Sequence, residues 1–359
     1  MAKIAIITFH RAINFGAVLQ TYALSSYLKN LGFEVDVLDY RSKSLEDSYK
    51  TKFAFDLYSI KRYFLKPLTE IKKKKFRKFI CKNINLTQPL STFEELQNIA
   101  NNYDFIITGS DQVWNKQWTQ KDSAYLLDFC NDEQKVSYAA SIGKSSLSEE
   151  EKVWLSENLK SFRKISVRET TGKKILNEFV NKEISVNCDP VVLLDKEQWT
   201  KISKCPKEKG YVLIYMLVAS DSLVKAAADY GKNAGKEVIM INDNLRKQYD
   251  VKYKRFCSPE DFVGLFKNAD CVFTNSFHGT MFSIIFEKEV HIELQKYKDA
   301  PNSRFVDLLK NLGMEACIFS EDMLEGINSN SIDYSCVREK IAEMKEQTNL
   351  YFDDAFQTK

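Results

Sequence analysis

Apolar positions along the chain follow two periods, and the switches between them mark its elements. Lys3–Thr8 (KIAIIT) is an apolar run of strand length. After a loop over His10–Phe15, Gly16–Leu31 carries Leu19, Ala23, Tyr27 and Leu31 near helical spacing. Gly32 stops that helix, and Phe33–Asp39 (FEVDVLD) alternates as a second strand. A helix joining two such strands predicts a right-handed crossover in a parallel sheet.

The same rhythm recurs. Asp104–Thr108, Lys135–Ala139, Ile165–Arg168 and Ile184–Val186 read as strands, with helical stretches at Ser148–Lys160 and Thr170–Phe179. Lys201–Gly210 (KISKCPKEKG) is polar, holds Pro206 and reads as a linker. Beyond it the alternation restarts with strands Tyr211–Leu217, Glu237–Asn242, Asp270–Thr274 and Val290–Glu293. Helices are expected at Ser222–Asn233, Pro259–Asn268, Thr280–Phe286 and Ser303–Leu312, and the last thirty residues read as one charged helix. The expected fold class is therefore α/β, with two open parallel-sheet, Rossmann-like domains facing a cleft. They span 1–200 and 211–325, and a terminal helix covers 332–357.

Length and composition fit this picture. At 359 residues and 44% apolar, the chain can bury two cores. Its 52 basic and 49 acidic residues leave a net charge of +3, which gives no nucleic-acid signature. The N-terminal apolar run is too short for a signal peptide, and no stretch has the ~18 apolar residues of a bilayer span. A cytoplasmic protein is expected. The eight cysteines are scattered without a C-x-x-C pair, and the three histidines lack metal-ligand spacing, so no metal is expected.

Lys61–Lys78 breaks the rhythm: nine Lys or Arg against one Glu, interleaved with Tyr63, Phe64, Leu65, Ile71 and Phe76. It reads either as a solvated helix or as a peripheral contact with an anionic membrane.

In open α/β domains ligands bind beyond the carboxyl ends of the strands, and four loops there have unusual composition. In TFHRAINFG, Asn14 and Gly16 precede a helix and offer backbone N–H groups to an anion or hydroxyl, or simply cap the helix. In TGSDQVWN, Ser110 and Asp111 follow a buried strand, and Asp111 is either a general base or a helix cap. In SVRE, Arg168 ends a strand as a fork for carboxylate or phosphate, or as half of a structural ion pair with Glu169 or another acid. In TNSFHGT, Ser276, Phe277, Gly279 and Thr280 surround His278 just before a helix, an anion site with an imidazole beside it. His10 and His291 lack such neighbours, and His291 is read as structural.

NFGAVLQTYAL, ITGSDQVWN, SYAASIG, SVRE, CDPVVLL and TNSFHGT occur in the order found in the polysaccharide pyruvyl transferase family, and the resemblance runs from about Ile4 to Leu309. It implies a fold like the two-lobed GT-B glycosyltransferases, with the last helix closing onto the first lobe. It also implies transfer of a pyruvyl group from phosphoenolpyruvate, a co-substrate with no further cofactor, to two hydroxyls of one sugar. The product is a cyclic ketal plus phosphate. By resemblance, Arg168 holds the donor, His278 lies beside the donor phosphate and Asp111 is an acid on the acceptor side; His278 is the candidate acid toward either the donor or the leaving phosphate, and Asp111 the candidate base. Many members carry Arg-Leu-His-Gly where this chain has Ser276-Phe277-His278-Gly279. Arg304, in PNSRFVDLL, is the candidate for the missing cation. The acceptor is expected to be a surface-polysaccharide precursor, with Lys61–Lys78 pointing to a lipid-linked one. The competing readings are a GT-B nucleotide-sugar glycosyltransferase and a non-catalytic glycan-binding relative.

Overall fold

The computed structural model describes residues 1–42, 57–296, 302–319 and 332–357, with 57–68 as backbone only. Two compact units emerge. The first comprises Met1–Glu70, Arg77–Leu193 and Ala342–Lys359; the second comprises Ile71–Phe76 and Leu194–Ile341.

The first unit holds a seven-stranded parallel sheet: β1 (Lys3–Ile7), β2 (Glu34–Tyr40), β3 (Leu86–Leu90), β4 (Phe105–Asp111), β5 (Lys135–Ala140), β6 (Ile165–Val167) and β7 (Ile184–Val186). Their order is β3-β2-β1-β4-β5-β6-β7. The central strands are almost wholly buried, as expected of a parallel sheet covered on both faces. Because β2 lies on one side of β1 and β4 on the other, the chain reverses direction of travel between β1 and β4. That is the switch point at which open sheets leave a crevice.

The helices are α1 (Phe15–Asn30), α2 (Leu57–Asn83), α3 (Phe93–Ala100), α4 (Lys116–Thr119), α5 (Glu149–Leu159) and α6 (Thr170–Leu176). Capping boxes start α3 at Thr92/Glu95 and α5 at Ser148/Glu151.

The second unit repeats the design with five parallel strands: β8 (Tyr211–Tyr215), β9 (Val238–Ile241), β10 (Lys252–Lys254), β11 (Ala269–Thr274) and β12 (Glu289–Ile292). The order β10-β9-β8-β11-β12 puts its switch point between β8 and β11. Its helices are α7 (Lys196–Ile202), α8 (Asp221–Ala234), α9 (Pro259–Asn268), α10 (Phe277–Ile285), α11 (Ser303–Leu312) and α12 (Tyr334–Ala355). Leu223, Val224, Ala226 and Ala227 of α8 face the core, Ser220 caps the helix, and Gly235 closes it at φ 63°.

Three placements differ from the sequence reading. The boundary falls at Leu193–Leu194, ahead of the Lys201–Gly210 linker. The reason is that α7 packs into the second unit: Trp199 meets Phe282 edge-on at 4.8 Å, and Lys204 N donates to Glu260 O at 2.9 Å. The terminal helix α12 is divided between the units. Its start belongs to the second, where Tyr334 Oη donates to Lys288 O and Arg338 pairs with Glu287. From Ala342 it belongs to the first, where Phe352 stacks on Tyr138 at 4.8 Å and Tyr351 Oη donates to Ser137 O. The third difference is the pair of edge strands β3 and β10, which the sequence reading leaves as loop. Pro89 is tolerated in β3 because that strand lies at an edge of the sheet.

Candidate active site

In the second unit the TNSFHGT segment sits at the switch point. Thr274, the last residue of β11, donates from Oγ1 to Tyr215 O (2.7 Å) at the end of β8 and accepts from Ser276 N (3.1 Å). Ser276 is the N-cap of α10 and its Oγ accepts from Gly279 N at 3.3 Å. The helix therefore starts at Phe277, earlier than the sequence reading placed it. His278, Gly279 and Thr280 lie in its first turn and not in a preceding loop.

Gly279 is required by packing. A Cβ there would stand 2.4 Å from Thr274 Oγ1 and 3.1 Å from a Tyr215 ring carbon. Helix and strands approach each other through this glycine.

Polar residues missing from the sequence reading fix the surrounding loops. Asn275 accepts from Leu217 N (2.9 Å) and donates to Val218 O (2.7 Å). Gln295 Nε2 donates to Asn275 O at 3.0 Å. Asn302, just before α11, spends its amide on the Gln295 backbone, donating to its carbonyl at 2.7 Å and accepting from its N–H at 3.1 Å. This tie brings Arg304 to the start of α10: its guanidinium lies 5.2 Å from the Phe277 ring centroid. The Phe277 ring in turn meets His278 edge-on at 5.5 Å. Thr280 Oγ1 and Gln295 Oε1 are buried here with no hydrogen-bond partner among the described residues, which is unusual for interior polar atoms.

In the first unit the TFHRAINFG and TGSDQVWN loops meet at the β1/β4 switch point. Thr8 Oγ1 donates to Ser110 O (2.9 Å) and accepts from Gln20 Nε2 (3.0 Å). Asn14 caps α1 by accepting from Ala17 N, and Gly16 is buried in the first turn. The Ser110 hydroxyl is fully buried and donates to Ala139 O at 2.9 Å, so it is turned into the sheet. Asp111 stands at φ 74°, a left-handed conformation costly for a side-chain-bearing residue. Its Oδ1 accepts from Gln112 N at 2.9 Å, and the short helix that follows is capped by Asn115. Asp111 is therefore not a helix cap.

Arg168 follows β6 with its side chain 1% exposed. Its Nη1 lies 2.9 Å from Asp189 Oδ2, its Nε 3.6 Å from Glu169 Oε2 and its Nη2 3.8 Å from Asp111 Oδ1. Burial alone would lower its pKa, and the three carboxylates reverse that. The structural ion pair that the sequence left open is the arrangement found. The Asp189 carboxylate also accepts from Val191 N, and Glu169 accepts from Ser141 Oγ at 2.7 Å.

A second buried cluster joins His10 and Arg11 to Asp39. His10 is 1% exposed, with Nε2 3.2 Å from Asp39 Oδ1 and Nδ1 3.3 Å from Thr8 O; Arg11 Nη1 donates to the same Asp39 oxygen at 3.0 Å. Burial would raise the Asp39 carboxyl, yet the His10 hydrogen bond and the charges of His10 and Arg11 hold it at about 2. No local signal marks this pair, because His10 lies in the loop after β1 and Asp39 in β2.

His291 is structural as read. It stacks on Phe273 at 4.5 Å and meets Glu289 at 3.1 Å. Cys271, Glu289 and His291 form the one cluster of metal-ligand type among the described residues. Its carboxylate is already engaged by His291 and by Tyr230 Oη at 2.6 Å. The basic stretch is partly committed: Lys72 pairs with Asp243 (2.7 Å), and Lys75 donates to Phe256 O (2.8 Å) near Asp261. Lys74, Arg77 and Lys78 are exposed or nearly so. No helix among the described residues is long and apolar enough to cross a membrane.

Two parallel-sheet units, each with a polar cluster at its switch point, have a GT-B-like α/β fold. Solved structures agree at the level of fold. The α-glucosyltransferase solved with UDP and a DNA 13-mer aligns with a TM-score of 0.52 at 13% identity, covering 99% of this chain and all (100%) of that one. The UDP-GlcNAc 2-epimerase of Methanocaldococcus jannaschii aligns with a TM-score of 0.50 at 11% identity over 96% and 91% of the two chains. The UDP complex of S. aureus MnaA gives 0.50 at 12% identity over 99% and 91%. No curated protein sequence matches significantly. The polysaccharide pyruvyl transferase family matches residues 14–292, most of the chain, a range that holds the six ordered motifs from NFGAVLQTYAL to TNSFHGT but not Arg304. The chain belongs to the polysaccharide pyruvyl transferase family and is a transferase.

Proposed function

We propose that this transferase moves the pyruvyl group of phosphoenolpyruvate onto two hydroxyls of one sugar in a surface-polysaccharide precursor. The observation that carries the reading is the start of α10. A Ser276-capped helix N-terminus at the β8/β11 switch point holds His278 in its first turn, with the Arg304 guanidinium on the neighbouring Phe277 ring.

In this account the helix N-terminus and Arg304 take the donor's anionic groups, so Arg304 supplies the charge that Ser276 lacks. His278 is the acid. A proton reaches the donor's methylene carbon, and one sugar hydroxyl bonds to the adjacent carbon as it loses its own proton. The second hydroxyl then attacks the same carbon, the carbon–oxygen bond to phosphate breaks, and phosphate leaves with the remaining proton. Asp111 is the proposed base for the attacking hydroxyl. With its fork occupied on three sides, Arg168 is assigned to holding the Asp111 carboxylate, in place of the direct donor contact implied by resemblance. Asn14 and Gly16 form the proposed acceptor edge. Ser110, whose hydroxyl is turned inward, contributes to it only through its backbone.

A lipid-linked acceptor and peripheral contact with the inner face of the plasma membrane remain part of the proposal through exposed Lys74, Arg77 and Lys78. Assaying phosphate against nucleoside diphosphate release, with phosphoenolpyruvate or nucleotide sugars as donor, tests the reading. Release of nucleoside diphosphate alone would sink it.

A further inference from the structure

We propose that Trp118 is a stacking platform for a pyranose ring of the acceptor, a site on the first unit that rests on the sugar acceptor proposed above. Trp118 is 51% exposed, a large apolar area to leave in water. The ring is not loose. Its Nε1 donates to Gln112 Oε1 at 3.0 Å, and the same oxygen accepts from Asn115 Nδ2 at 2.9 Å. Its backbone N–H donates to Asn115 O at 3.0 Å. Lys116 and Lys121, which flank it in sequence, both grip Glu150, at 2.8 and 2.5 Å.

Gly143 shows that the anchor is built in. It stands at φ +68°, and a Cβ there would lie 2.4 Å from Gln112 Oε1 and 2.9 Å from Asn115 Nδ2. The SYAASIG segment thus ends in the residue that lets the Gln112 amide sit where it holds the indole. Two segments that look unrelated in sequence converge on fixing one exposed ring. Gln112 is also the residue after Asp111, and its N–H binds the Asp111 carboxylate at 2.9 Å. Platform and proposed base belong to one loop.

The chemistry of the surface selects its occupant. An indole whose N–H is already satisfied offers a flat apolar face with negative π density. The axial C–H face of a pyranose is apolar and slightly positive, and its equatorial hydroxyls stay in water when that face stacks. A protein interface needs a contiguous apolar core. Here the loop neighbours Gln112, Lys116, Gln117 and Lys121 are polar, and Trp118 is the large apolar side chain this loop exposes.

Saturation-transfer-difference NMR on the full chain tests this, with methyl glycosides of glucose, galactose, mannose and N-acetylglucosamine as probes. At least one is expected to receive saturation at its axial ring protons. W118A should weaken that binding about ten-fold while W118F retains most of it. Gln112→Leu, which frees the ring without removing it, should give an intermediate loss. Thermal melting of W118A close to wild type ensures that the loss is local. Equal transfer in wild type and W118A, or no transfer from any glycoside, overturns the platform. Phosphate release from phosphoenolpyruvate separates the two claims: turnover with unchanged W118A binding removes the platform alone, whereas lost W118A binding without turnover removes the pyruvyl reading alone.

Discussion

Arg168 and Asp189 form an ion pair sealed inside the first unit, Nη1 to Oδ2 at 2.9 Å, with side-chain exposures of 1% and 0%. Glu169 and Asp111 complete the surroundings of the guanidinium. The arginine is thereby a fixed internal cation that orders the ends of β4 and β6 and the start of the CDPVVLL segment. Removing one partner of such a pair leaves a buried charge uncompensated. Asp189→Ala is expected to cost about 3–5 kcal/mol, toward the low end because two other acids remain. Urea unfolding checks it, and a loss below about 1 kcal/mol would show that the pair is not sealed.

Gly279→Ala is expected to destabilise the second unit by about 1–3 kcal/mol. The new methyl would press on Thr274 Oγ1, which is fully buried and already committed to Tyr215 O and Ser276 N. A thermal melt unchanged from wild type would mean that the strands give way there.

Much of this was legible in the chain. The switch between strand and helix periods locates β1, β4, β8 and β11 because central parallel strands are apolar on both faces. Edge strands β3 and β10 escape, since half-exposed strands with Pro89 or lysines carry little periodicity. The four motif loops lie at carboxyl ends of strands, as their positions suggested. What the sequence could not supply is pairing across strands. Asp39 as the partner of His10, Asp111 and Asp189 around Arg168, and the tie from Asn302 through Gln295 to Asn275 all join residues remote in sequence. Local composition is silent about such contacts. The inward turn of the Ser110 hydroxyl is likewise a matter of register, not of residue type.

The Asp39 cluster predicts a pH dependence. Its carboxyl is held at about 2, below its ordinary 3.8. A depressed carboxyl contributes stability above its unfolded value and loses that contribution as pH falls through the folded one. Stability should therefore decline between about pH 4 and about 2, and Asp39→Asn should flatten that stretch of the curve. Parallel curves for wild type and variant would remove the assignment.

Within the proposed mechanism His278 and Arg304 separate kinetically. His278→Gln should lower kcat by about 10²–10⁴-fold with little change in the donor KM, as expected for loss of a general acid. Arg304→Ala should raise the KM for phosphoenolpyruvate by about ten-fold or more, with Arg304→Lys recovering part of it. An unchanged donor KM in Arg304→Ala would leave the serine at position 276 without a compensating cation.

The most direct test is mass spectrometry of candidate sugar acceptors after incubation with the protein and phosphoenolpyruvate. The account predicts a product heavier than the acceptor by one pyruvic acid less one water, formed with one equivalent of phosphate and absent with His278→Gln. Transfer of a glycosyl group from a nucleotide sugar, or phosphate release with no ketal on the acceptor, would contradict it.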